Sequence, residues 1–190
     1  MSGHVGSAAR TVESAMRVRR RLLAGLEGKL DAIEELAELI DASEGSLIFT
    51  ETKEMAEEAA ARLREWDVPA AALHSSMDER ERRQNLDSFG AGTLRALSAP
   101  KMLDEGIDVP HADLGIVMTA SRSRRQMIQR LGRVIRRKAA GVTVNFVVMY
   151  GADTVEDPED GAHEGFFDLL LDVSDEPLAL EPGWSASEIR

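Results

Sequence analysis

The sequence predicts an α/β fold, a mainly parallel sheet with helices on both faces, preceded by an N-terminal helical extension. Two observations predict it. Short apolar runs bounded by Gly or Pro alternate with segments of helical periodicity, which is the pattern of βαβ crossovers. The chain also has 190 residues and no cysteine, enough to bury a core without disulfides and without a thiolate zinc site. The composition divides into a helical extension over 1–44, an α/β domain over 45–150, and an acidic loop, short helix and tail over 151–190.

Residues from about Thr11 to Ile40 read as helix, with Leu22, Leu26, Leu30, Ile33, Ala37 and Ile40 recurring at three- and four-residue spacing. Gly25 and Gly28 predict a break near the middle, and Leu30 to Ile40 is expected to pack on the domain. Ser46 to Thr50 reads as a buried strand after Gly45. Lys53 to Trp66 reads as a helix with Met55, Ala59, Leu63 and Trp66 on one face, and Ala70 to Leu73 as a short strand after Pro69. Ser76-Met77-Asp78-Glu79 has the letters of a capping box, with Ser76 expected to cap and Glu79 to reach back. The helix it opens should run to about Phe89, itself a core residue. Thr93 to Ala99, Leu114 to Thr119 and Val142 to Val148 supply three more strands, with a basic helix between the last two. Beyond Tyr150, six acids among Gly and Pro read as an exposed loop, Phe166 to Val173 as a short amphipathic helix, and Asp175 to Arg190 as a loose tail. In such sheets ligands bind beyond the carboxyl ends of the strands. The loops after Thr50, Leu73, Ala99 and Thr119 are therefore the expected functional edge.

Net charge is -11, which by itself argues against casual nucleic-acid binding. Its distribution argues otherwise. Ser121 to Lys138 holds Arg122, Arg124, Arg125, Arg130, Arg133, Arg136, Arg137 and Lys138, and none of the 34 acids. A localised basic face on an acidic body is the electrostatic footprint of nucleic-acid binding. A second cluster at Arg17, Arg19, Arg20 and Arg21 reads as a solvated helix face. No apolar run approaches the ~20 residues needed to span a bilayer, and Met1 to Arg10 lacks an apolar signal core. The expectation is an intracellular, cytoplasmic protein with no membrane partner. The four histidines are scattered, and no metal site is expected from them.

Gln129-Arg130-Leu131-Gly132-Arg133-Val134-Ile135-Arg136 is the most informative stretch. Arg133 and Arg136 stand one turn apart with a glycine before the first, and can aim two planar guanidinium forks at one phosphate group. Upstream lie Ala99-Pro100-Lys101-Met102-Leu103-Asp104-Glu105-Gly106-Ile107-Asp108-Val109-Pro110, then earlier His74-Ser75 with Arg82, Phe89 and Gly92, and earlier still Ser46 to Thr52. In order and spacing these segments resemble motifs of superfamily 2 helicases, in the second of their two RecA-like lobes. The resemblance covers roughly Ser46 to Met149.

The resemblance implies roles residue by residue. Arg133 and Arg136 would be arginine fingers, and Gln129 would orient the attacking water or touch the γ-phosphate. Arg130 would make a contact within the motif. Gly106 and Asp108 would meet the nucleotide, where glycine allows close backbone approach and an acceptor-only carboxylate suits a ribose hydroxyl. Thr50 or Thr52 could donate to a nucleic-acid phosphate, although Thr52 is equally readable as a plain N-cap. His74 lies where a helicase places backbone contacts to the strand, and is equally readable as structural. Two positions depart from the pattern. Ser75 replaces the usual glycine, and Pro100 stands where many relatives have Ser or Thr, which moves that strand contact toward Lys101. Glu105 reads as part of an exposed turn.

ATP and Mg2+ are implied as cofactors, held mainly by a first lobe that carries a P-loop. No Gly-x-x-x-x-Gly-Lys-Ser/Thr is present: Gly28-Lys29 is followed by Leu30, and neither Asp78-Glu79 nor Asp104-Glu105 follows a strand as a Walker B pair would. The chain is therefore expected to need a P-loop-bearing N-terminal lobe in trans and not to hydrolyse ATP alone. The forms of its last two motifs look more like DNA-repair and restriction-type members, which favours DNA over RNA. A second reading is a non-catalytic nucleic-acid-binding or regulatory module that keeps the fold. A third, an adaptor that offers its acidic 153–164 loop to a basic partner, has only charge behind it.

Overall fold

The computed structural model describes residues 27–100, 112–118, 144–151 and 154. The element order is α1 (Glu27–Glu35), α2 (Ala37–Ala42), β1 (Ser46–Thr50), α3 (Lys53–Glu65), β2 (Ala70–Ala72), α4 (Glu79–Gly90), β3 (Ala96–Pro100), β4 (Leu114–Val117) and β5 (Asn145–Val148). The N-terminal half of the expected first helix, the acidic loop, the short helix and the tail lie outside the described residues, Thr154 apart.

The five strands form one parallel sheet in the order β2-β3-β1-β4-β5. The central strand β1 is buried along its whole length. Its register fixes the two faces. Ile48 packs with Met55, Ala56, Ala59, Ala60 and Leu63 of α3 and with Ile33, Leu36 and Ile40 of the first two helices. Leu47 and Phe49 point the other way, into a cluster with Leu97, Val117 and Phe89 of α4. Helices thus cover both faces, as the pattern predicts.

Local chemistry explains where the elements stop. The chain from 27 to 42 bends at Leu36 (φ -82, ψ -5) rather than at Gly28, which lies inside α1. Ile33, Leu36 and Ala37 are all buried, so the bend keeps an apolar stripe on the sheet. α3 ends with Asp67 in the left-handed region (φ 59). There Val68 N donates to Leu63 O (3.0 Å) and Asp67 N to Arg64 O (3.1 Å), a Schellman closure with Leu63 and Val68 both buried. α4 ends the same way through Gly92 (φ 72), with Thr93 N on Ser88 O (2.9 Å) and Gly92 N on Phe89 O (3.0 Å). Thr93 Oγ1 also donates to Ser88 O (2.8 Å). That closure holds Thr93 and Leu94, so β3 starts at Ala96 rather than at Thr93.

The expected capping box is corrected. Asp78, not Ser76, caps α4: its carboxylate accepts from Arg80 N (2.9 Å) and its carbonyl from Arg82 N (2.9 Å). Ser76 sits inside a turn closed by Met77 N donating to His74 O (3.2 Å), two residues too early to reach the helix. Its hydroxyl instead accepts from Lys53 Nζ (3.2 Å).

The edge strand β2 is held from outside as well as inside. Leu73 N donates to Ser98 O on β3 (2.8 Å), while the carbonyls of Ala70 and Ala72 accept from Arg64 Nη1 (2.9 Å) and Asn85 Nδ2 (3.2 Å).

Candidate nucleic-acid interface

In a parallel sheet all carboxyl ends share one edge. Thr50, Leu73, Pro100, Met118 and Met149 stand at or just beyond the strand ends here. α3 leaves β1 at this edge, so its amino end, the positive end of the helix dipole, lies there too.

Three candidate residues come together on this edge. Thr50 is the last residue of β1, and its buried hydroxyl donates to Thr52 O (3.0 Å). That proton is spent within the loop, so Thr50 keeps only acceptor lone pairs for a further partner. Thr52 is the N-cap of α3, and its Oγ1 accepts from Met55 N (3.2 Å), the capping bond that either reading of this residue allows. Its hydroxyl hydrogen is left to donate. His74 follows β2 and reaches α3, with Nε2 2.7 Å from Glu57 Oε1. Its backbone is engaged as well, the N–H on Met77 Sδ (3.4 Å) and the carbonyl on Met77 N. Gln129, Arg133, Arg136, Gly106, Asp108 and Lys101 lie outside the described residues.

Three residues join the edge that the sequence did not single out. Lys53 bridges the first turn of α3 to Ser76. Glu57 holds His74. Lys29, 4% exposed, sends Nζ to Met118 O (3.2 Å), the residue after β4. A lysine directly after an N-cap, as at Thr52-Lys53, was the one legible signal among them. Pro100 ends β3 opposite Thr50 in register and offers neither hydroxyl nor N–H there.

Behind the edge, Arg62 ties α1 to α3. Its guanidinium lies 2.7 Å from Asp31, 2.9 Å from Glu34 and 3.2 Å from Glu58. The hydrogen bond to Asp31 does most to hold Arg62 above its ordinary value, with Glu58 and Glu34 adding to it against partial burial.

Comparison with known proteins fixes what this architecture is. Residues 28–138 match the family described as helicase conserved C-terminal domain, and the chain belongs to that family. The fold is the RecA-like C-terminal lobe of superfamily 2 helicases. Among relatives, the chain is similar to the ATP-dependent RNA helicase DBP8 of Candida albicans, 30% identical over 155 residues, 82% of this chain and 34% of that protein. It is also similar to the DNA 3'-5' translocase XPB2 of Sulfurisphaera tokodaii, 36% identical over 108 residues, 56% of this chain and 24% of that protein. Among solved structures, the Mycobacterium smegmatis helicase Lhr bound to ssDNA and AMP-PNP superposes with a TM-score of 0.59 at 26% identity, over 79% of this chain and 20% of that one. The chain thus spans between about a fifth and about a third of the length of these relatives. The matching helicases are largely of the RNA type, with DNA members such as the translocase among them, and this runs against the expected preference for DNA.

Proposed function

We propose that this chain is the second motor lobe of an ATP-dependent nucleic-acid helicase or translocase, completed in trans by a lobe that carries the P-loop. The observation that carries the reading is the family match over 28–138, which takes in both the Gly106-x-Asp108 and Gln129–Arg136 segments. The donor set suits the cofactor. Asp108 can accept from a ribose hydroxyl, and Arg133 and Arg136 can give forked donors to a phosphate that Mg2+ from the other lobe also neutralises. Gln129 would orient water, Gly106 would let the nucleotide approach the backbone, and Thr52, His74 and Lys101 would track the strand, the proton of the buried Thr50 being spent within the loop. ATP supplies the free energy for opening and closing the cleft between lobes. The proposal places the protein inside the cell, where its nucleotide and its strand are.

The test is affinity purification of the tagged chain from its native cells, with partners identified by mass spectrometry. A stoichiometric partner carrying Gly-x-x-x-x-Gly-Lys-Ser/Thr and an Asp-Glu pair is the expected result. Recovery with nucleic acid and no P-loop protein would favour the second reading, a non-catalytic binding module. One observation supports that alternative: Pro100 and Ser75 occupy two contact positions with the wrong chemistry.

A further inference from the structure

Among the described residues, two buried side-chain polar atoms have no hydrogen-bond partner, Ser98 Oγ and His74 Nδ1. They lie on the same side of the sheet. Ser98 pairs in register with Ile48 and Ala72, and both of those side chains belong to the cluster under α3. His74 is two residues beyond Ala72, one pleat repeat further along the same face, and it touches α3 at Glu57. Ser98 is 0% exposed and the His74 side chain 10%.

The two orphans are complementary in chemistry. A carboxylate only accepts, so in the neutral ring the Nε2 proton faces Glu57 and Nδ1 is left with a lone pair. Ser98 Oγ carries a proton to give and lone pairs to receive. Thr50, the next polar side chain on that face, is buried and has already given its own proton to Thr52 O. Its lone pairs still accept. Buried polar groups without partners are rare, and internal waters that make two to four bonds are the usual remedy.

We propose that one water molecule binds internally beneath the first turns of α3, accepting from Ser98 Oγ–H and donating to His74 Nδ1, with Thr50 Oγ1 as the third partner. The chain Ser98–water–His74–Glu57 then joins β3 to α3 through β2. Both ring nitrogens of His74 are turned to the protein. Resting on the proposed function, it follows that the His74 imidazole takes no part in meeting a nucleic-acid strand.

Two measurements on the full chain test the water site. Removing a hydroxyl that has no partner stabilises a protein, whereas removing one that holds a buried water destabilises it. Ser98→Ala should therefore lower the thermal midpoint by about 2–4 °C, the shift expected of one buried hydrogen bond at this chain length. In histidine side-chain 15N spectra, the same substitution should move the His74 Nδ1 resonance toward that of a free acceptor nitrogen and leave Nε2 in place. A midpoint that rises or stays put, or an Nδ1 frequency that does not move, overturns the water site. Titration with a single-stranded oligonucleotide tests the last step. Shifts at backbone amides with constant ring nitrogens are expected, and a moving ring nitrogen overturns it. An oligonucleotide that shifts no resonance anywhere would fault the proposed function and leave the water site standing.

Discussion

Lys29 and Met118 are 89 positions apart in sequence and joined by one buried hydrogen bond, Nζ to backbone oxygen at 3.2 Å. The bond ties α1 to the exit of β4, the point from which the chain runs on to its basic segment. Hydrogen bonds from charged donors contribute about 1.5–3 kcal/mol, while relief from burying the ammonium offsets part of that. Lys29→Met keeps the apolar stem and removes the donor, and should lower stability by about 1 kcal/mol in urea unfolding. An unchanged midpoint would mean that the contacts of the ammonium together contribute nothing net.

Arg62 stands among Asp31, Glu34 and Glu58 with its side chain 23% exposed. Exposed pairs contribute about 0–1 kcal/mol each, and solvent screening puts this network at the lower end for its size. Arg62→Ala leaves three acids close together, so a loss of about 1 kcal/mol is expected at low salt. At 1 M NaCl the screening length falls to about 3 Å, and the gap between variant and parent should narrow. A gap independent of salt would assign the loss to packing of the arginine stem. Because the arginine is held above its ordinary value, its charge is present below that value and is lost only at extreme alkaline pH, so no pH dependence from Arg62 is expected near neutrality.

Asp67 occupies the left-handed region at φ 59 where α3 closes. Glycine takes that conformation without the Cβ penalty. Asp67→Gly should stabilise the chain by about 0.5–1 kcal/mol, the strain relieved exceeding the extra freedom gained by the unfolded chain. A lower thermal midpoint would show that the aspartate side chain has a compensating contact.

For the proposed motor, Arg133→Ala in the reconstituted two-lobe enzyme should cut ATP turnover by about 10³-fold or more, the range for an arginine finger. Near-normal turnover would remove Arg133 from that role. Strand binding by the parent should weaken steeply as salt rises, and Lys101→Ala should reduce the slope of log K against log salt by about one. Competition between single-stranded DNA and RNA of one sequence decides which the lobe prefers.

The sheet was legible because most strands are short apolar runs next to a Gly or Pro, and β1, β4 and β5 fall within their expected spans. The misreadings share one cause. Ser76 and Asp78 are both good N-caps, and a turn through His74 together with the reach of Lys53 settled which of them caps. Thr93 favours strand by type, yet the closure of α4 claims its N–H and hydroxyl. Of the candidate site, Thr50, Thr52 and His74 were placed on one edge by the alternation of strands and helices. The roles of Lys29, Glu57 and Ser98 were not legible, because each depends on an atom brought close only by the finished fold.

The two side chains that cover the outer carbonyls of β2 have a consequence for assembly. A foreign strand seeking to extend the sheet would need the oxygens of Ala70 and Ala72 as acceptors, and Arg64 and Asn85 already occupy them. Among the described residues, a three-alanine edge, small and apolar enough to invite edge-to-edge pairing, is thereby obstructed by two long side chains. At this edge, concentrated protein should resist self-templating, and paired loss of Arg64 and Asn85 should open the way to fibres.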